Sequence, residues 1–212
     1  MAEITTLFWD VGGVLGTNGW DRSTRRAAAS RFGLNEEEFE NRHEALLSAL
    51  ETGKMSLDDY LERTVFCHRQ SFGRDEFKAF LFAQSRPKPD SLALARELSG
   101  KHLMAAINNE SLDLNLYRIE KFGLREIFSA FFSSCFVGLR KPDPAIYRLG
   151  LDVMQRTPAE SCFIDDRALN LEGARQVGMR VIQFHDANQL RRELAEMGVA
   201  TNAAAGKGKK PA

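Results

Sequence analysis

Beyond Pro89 the chain settles into one rhythm: a short β-favouring run, a turn, an amphipathic stretch of about ten residues, then another run. The runs are residues 103–107, 128–132, 161–164 and 180–184, and the helical stretches are 90–98, 112–122, 144–154, 169–177 and 187–197. Strands alternating with helices of this length imply right-handed crossovers and a parallel sheet. An earlier run, residues 4–9, reads as a further buried strand that stops at Asp10. Val11-Gly12-Gly13-Val14-Leu15-Gly16 follows, a loop in which the backbone can come close to a ligand. The predicted fold class is α/β.

Residues 17–86 break the rhythm, with helix signals only. Asp21 caps a helix to Phe32 that Gly33 stops, and Asn35 with three glutamates opens a second that Gly53 ends. Ser56-Leu57-Asp58-Asp59 is a capping box in its Asp form, and residues 75–83 make a fourth helix. Arg86-Pro87-Lys88-Pro89 is a stiff connector. The expected organisation is an α/β core of residues 1–16 and 87–200, an inserted helical cap of 17–86, and a disordered tail of 201–212 ending in small residues and lysines.

Charge narrows the function classes. Lys plus Arg and Asp plus Glu number 29 each in 212 residues, a balance that argues against nucleic-acid or anionic-membrane binding. No apolar run reaches the ~18–20 residues of a membrane span. The start MAEITTLFWD lacks a basic segment followed by an apolar one, so no secretory leader is expected. Cys67, Cys135 and Cys162 fit neither a disulfide framework nor a zinc site. The expected setting is the cytoplasm, as a monomer or homodimer.

In open parallel sheets ligands sit beyond the carboxyl ends of strands. The polar residues following the predicted strands are Asp10, then Asn108-Asn109-Glu110, then Gly138-Leu139-Arg140-Lys141-Pro142-Asp143, then Asp165-Asp166. Three carboxylates with a lysine make a divalent-cation and phosphate site physically sensible. Gly12-Gly13 lacks the G-x-G-x-x-G spacing of a dinucleotide loop. His43 falls on a predicted cap helix, where a solvated or half-buried role is expected, and His68, His102 and His185 show no ligand spacing. Phe66, Phe72, Phe77, Phe80 and Phe82 are expected in the cap core, with one or two reaching the pocket.

Four ordered motifs carry a resemblance: Phe8-Trp9-Asp10-Val11-Gly12-Gly13, Ala105-Ala106-Ile107-Asn108-Asn109, Gly138 to Tyr147 around Lys141, and Cys162-Phe163-Ile164-Asp165-Asp166 with Asn170 and Gly173. From Leu7 to about Phe184 the chain resembles the haloacid dehalogenase-like hydrolase superfamily, most of all its phosphatase-type members with a small helical cap. These include the phosphatase domain of soluble epoxide hydrolases and bacterial sugar-1-phosphate phosphatases. The resemblance implies a Rossmann-like parallel sheet with an inserted α-helical cap. It implies Asp10 as nucleophile, forming an aspartyl-phosphate on a small phosphorylated metabolite. It implies Mg²⁺ held by Asp10, the Gly12 carbonyl and Asp166, with Asp165 acting mainly through water. Lys141, Asn108, Asn109 and Gly13 would surround the phosphate.

Two positions depart from the family pattern. Asn108 stands where Ser or Thr is usual, although its amide can still donate. Gly12 stands where family phosphatases carry a second Asp, the acid for the leaving group and base for water, help worth ~10²–10⁴-fold. The expectations are a substrate with a good leaving group, a substitute among Glu110 and His43, or lost catalysis. Two alternatives accompany the phosphatase reading: a non-catalytic phosphometabolite-binding protein, and a 2-haloacid dehalogenase, whose halide leaves without a proton.

Overall fold

The computed structural model describes residues 2–201. Apart from Thr201, the expected tail lies outside the described residues. One sheet is built from β1 (Thr6–Trp9), β2 (Leu103–Asn108), β3 (Ala130–Ser133), β4 (Ser161–Asp165) and β5 (Arg180–Gln183). Its order is β3-β2-β1-β4-β5, and all neighbours are parallel. Trp9 pairs with Ala106 on one side and Ile164 on the other, so β1, β2 and β4 end together and their next residues emerge on one edge.

Alternation along β1 divides the core. Leu7 and Trp9 face one layer with α5 (Pro89–Ser99), α6 (Leu112–Lys121) and α10 (Ala187–Glu196). Phe8 faces the other, with α8 (Pro144–Met154) and α9 (Ala168–Gln176). The expected helices and strands form within a residue or two of their predicted ends, with one shift. The run 128–132 becomes strand only from Ala130: Phe128 donates its N–H to the Leu124 carbonyl, so this buried aromatic belongs to the preceding turn. A short helix that the pattern does not reveal, α7 (Ser134–Val137), follows β3 directly. Pro89, read as part of a connector, is the first residue of α5, where its missing N–H costs nothing.

Between β1 and α5 lie α1 (Arg22–Phe32), α2 (Glu36–Glu51), α3 (Leu57–Thr64) and α4 (Arg74–Ala83), and no strand. They enclose a second apolar cluster containing Phe39, Tyr60, Leu61 and Phe77. The caps predicted at Asp21, Asn35 and Ser56 all accept a first-turn N–H. The two passages between this helical unit and the sheet run side by side. Thr17 N–H donates to Arg86 O at 2.9 Å and Lys88 N–H to Leu15 O at 2.8 Å. No described helix is long and apolar enough to cross a membrane.

Inside the helical unit Trp20 Nε1–H donates to the Tyr60 hydroxyl at 3.1 Å, which lies 2.8 Å from His43 Nδ1. With Trp20 as donor, the Tyr60 O–H is free to donate to Nδ1, so the ring is held neutral. Burial pushes the His43 pKa down to about 4, with Arg25 adding to the effect and Glu40 opposing it. This is neither the solvated nor the half-buried histidine expected; only 2% of it is exposed.

Two outcomes follow for stability. An unfolded histidine binds a proton below about 6.5, but this folded one does so only near 4, so stability falls as pH drops between those values. His43→Gln removes that site and should flatten the fall by up to about 3 kcal/mol; urea unfolding at several pH values checks it. On α9, a Cβ at Gly173 would lie 2.1 Å from the Pro142 carbonyl oxygen. Gly173→Ala should cost about 1–3 kcal/mol, measured by thermal unfolding.

Candidate active site

The strand-end residues converge on one ammonium group. Lys141, on the loop between α7 and α8, puts Nζ 2.8 Å from Asp10 Oδ1 and 2.6 Å from Asp165 Oδ2. Side-chain exposure is 1% for the lysine, 9% for Asp10 and 0% for Asp165. Burial works against the Lys141 charge, but the two carboxylates outweigh it and hold its pKa above the usual lysine value. Burial pushes the Asp10 carboxyl up; Lys141 pulls it back, while Asp165 and Asp166 push it further up.

Each group around this centre is braced. Asp165 accepts the Arg167 N–H at 2.8 Å and the Asn170 amide at 3.0 Å on both oxygens. Asn109 donates to Lys141 O and accepts from Lys141 N–H, both at 2.9 Å, which fixes the lysine backbone. Gly13 sits at φ +79°, and a Cβ there would fall 2.2 Å from Asp166 Oδ2. Its carbonyl accepts from Lys88 Nζ.

Three carboxylate oxygens, one each from Asp10, Asp165 and Asp166, lie within 4.8 Å of one another. Asp166 Oδ1 is buried and has no hydrogen-bond partner among the described residues. A buried, unpartnered carboxylate oxygen beside two others is a set of hard donors, and it fits a hard divalent cation rather than a soft one.

The structure does not bring the Asn108 side chain to this cavity. Its amide donates to Asn115 Oδ1 at 2.9 Å and its oxygen accepts from Ser133 Oγ at 2.8 Å, both inside the core. Asp10, Gly12, Asn109 and Lys141 do border the cavity, a space of about 290 Å³. Its apolar wall comes from Trp20, Leu47, Leu50, Leu57, Leu81 and Leu114. None of the five phenylalanines expected in the cap core reaches it; Phe77 is fully buried and the others pack around the same cluster.

An ion pair that the sequence reading missed also borders the cavity. Arg118 Nη1 lies 3.0 Å from Glu110 Oε2, with 2% and 11% of their side chains exposed. Arg118 further donates to Ser85 Oγ at 3.0 Å and Asn18 O at 2.8 Å, one residue from each passage to the helical unit. The available signal was the buried face of α6, where Asn115 and Arg118 interrupt Leu114 and Ile119. On the outer surface, His68 Nε2 and Arg42 Nη2 both bind Glu38 Oε1, at 3.0 and 2.9 Å, with Cys67 alongside. That grouping, for which the sequence showed no ligand spacing, already has its carboxylate charge answered by Arg42.

Comparison with known proteins identifies the family and the fold. The family model for haloacid dehalogenase-like hydrolases matches residues 4–178. The pig (Sus scrofa) bifunctional epoxide hydrolase 2 is 40% identical over 74 residues, 35% of this chain and 13% of that protein, so this chain spans a small part of it. Phosphatase MT3486 of Mycobacterium tuberculosis is 26% identical over 95% of this chain and 99% of its own length. The HAD family enzyme bt-2542 of Bacteroides thetaiotaomicron, solved as a magnesium complex, superposes with a TM-score of 0.78 at 20% identity, covering 90% of this chain and 100% of that one. With a sheet of the same class, the strand-end acids gathered on Lys141 and a family match over most of its length, this chain belongs to the haloacid dehalogenase-like hydrolases.

Proposed function

We propose that the chain is a Mg²⁺-dependent phosphatase of small phosphorylated metabolites, working through an aspartyl-phosphate on Asp10. The observation that carries this reading is the shared Lys141 ammonium between Asp10 and Asp165, next to the unpartnered Asp166 oxygen. Of the three clustered aspartates Asp10 is the one that borders the cavity, so it meets an incoming phosphoryl group. Asp165, with both oxygens committed to Lys141, Asn170 and Arg167, serves as the lysine's anchor.

Asp10, the Gly12 carbonyl and Asp166 would hold the cation, with Asp165 behind them. Bound there, it supplies neutralisation between the nucleophile and a phosphate dianion that otherwise repel. Lys141 holds a phosphoryl oxygen and answers the charge that grows on it during transfer. Asn109 borders the cavity and fixes the lysine loop, and Gly13, outside the cavity lining, leaves room for Asp166. Asn108 braces the end of β2. Residues 17–86 act as a cap whose leucines and Trp20 exclude water from the cavity. Relatives named as phosphatases support the reaction class.

p-Nitrophenyl phosphate should be hydrolysed in the presence of Mg²⁺. Asp10→Asn should reduce that turnover by at least about 1,000-fold. EDTA should abolish it, and added Mg²⁺ should restore it. Equal rates for Asp10→Asn and the parent protein would overturn the assignment.

A further inference from the structure

The absent second acid of the first motif leaves the proton transfer without an owner. Gly12 is not required by the backbone, since it is missing from the glycines with positive φ. A Cβ built on it would meet Arg118 Nη1 at 3.2 Å and Asn18 Oδ1 at 3.4 Å. A side chain at position 12 would therefore point at a guanidinium that already holds a carboxylate, Glu110 Oε2, 3.0 Å away. Both Gly12 and Glu110 border the cavity that opens on Asp10.

We infer that Glu110, delivered by Arg118 from the end of β2, performs the proton transfers that family members assign to the missing aspartate. The inference rests on the phosphatase reading above. His43, the other cavity group considered for this role, spends Nδ1 on Tyr60. Glu110 has the opposite setting. Burial pushes its pKa up to about 7, against the pull of Arg118, so near neutral pH it exists in both forms. Ser111 N–H holds Oε1 at 2.9 Å, and Arg118 holds Oε2.

The proton balance closes. As Asp10 attacks phosphorus and the bond from phosphorus to the leaving oxygen breaks, protonated Glu110 gives its proton to that oxygen, releasing an alcohol. Ionised Glu110 then takes a proton from water as the water oxygen attacks the aspartyl-phosphate. Inorganic phosphate departs, the Asp10 carboxylate is regenerated, and Glu110 is again protonated.

The test compares p-nitrophenyl phosphate, whose leaving group needs no proton, with phenyl phosphate, whose leaving group does. Turnover of the first, lost in Asp10→Asn, establishes the underlying reading; its absence in the parent protein removes that reading and this inference together. Given that turnover, Glu110→Gln should lower kcat/KM, which reports the steps through leaving-group release, by about 100-fold or more on phenyl phosphate and by less than about fivefold on p-nitrophenyl phosphate, while kcat falls on both because the shared water attack loses its base. Gly12→Asp introduced into Glu110→Gln should recover most of the phenyl phosphate rate, because the new carboxylate meets the vacated Arg118. A loss in kcat/KM equal for both substrates marks Glu110 as structural and overturns the inference, as does a double variant no faster on phenyl phosphate than Glu110→Gln.

Discussion

One ammonium buried between two buried carboxylates holds this molecule's active end together. Lys141 is as inaccessible as a core leucine, and so is Asp165. Each alone would be expensive to bury, and together they are tolerable because the ammonium faces a carboxylate on each side and Asp165 is further satisfied by Arg167 and Asn170. Losing one member of such a set leaves the others uncompensated, a cost of about 3–5 kcal/mol. The same arrangement leaves Asp10 with one side towards the cavity. On the proposed function, stability and chemistry draw on the same three side chains, which come from residues 10, 141 and 165 of the chain.

The sheet makes that convergence possible. β1 lies at the centre, and the chain pairs outward from it in both directions, so the loops after β1, β2 and β4 open into one crevice. Close packing then sets the lysine's position. At Gly173 the chain of α9 passes so near the Pro142 carbonyl that no side chain fits between them, and Asn109 clasps the Lys141 peptide from the other side. Small residues here do the work of distance: they bring backbone segments near enough for a single ammonium to span two strand ends.

Much of this was legible in the residues. The strand and helix alternation, the caps at Asp21, Asn35 and Ser56, and the acids at strand ends rest on local rules, and local rules survive folding. The start of β3 was not legible, because Phe128 is as buried as a strand residue and burial leaves the same apolar mark in a turn. Asn108 was misjudged for a related reason. Its position in the motif suggests a ligand contact, yet Asn115 and Ser133, brought in by α6 and β3, claim its amide. The Glu110–Arg118 pair was invisible because no spacing rule joins a loop glutamate to an arginine two turns into the following helix. Only the surrounding apolar face of α6 hints that both are buried.

That pair is also the basis for the proposal that a carboxylate from another loop takes the place of the first motif's second acid. A side chain at position 12 would meet Arg118 from the first loop; Glu110 meets the same guanidinium from the loop after β2. The sheet presents several loop ends to the same crevice, so a carboxylate can be delivered there from more than one of them. The substitution has a structural consequence of its own. Arg118 also grips Asn18 and Ser85, which lie on the two passages joining sheet and helical unit. Glu110 is therefore registered to those passages as well as to β2, whereas a side chain on the first loop would follow β1 alone. Glu110 and the two points where the helical unit joins the sheet are thus parts of one hydrogen-bonded assembly built on a single guanidinium.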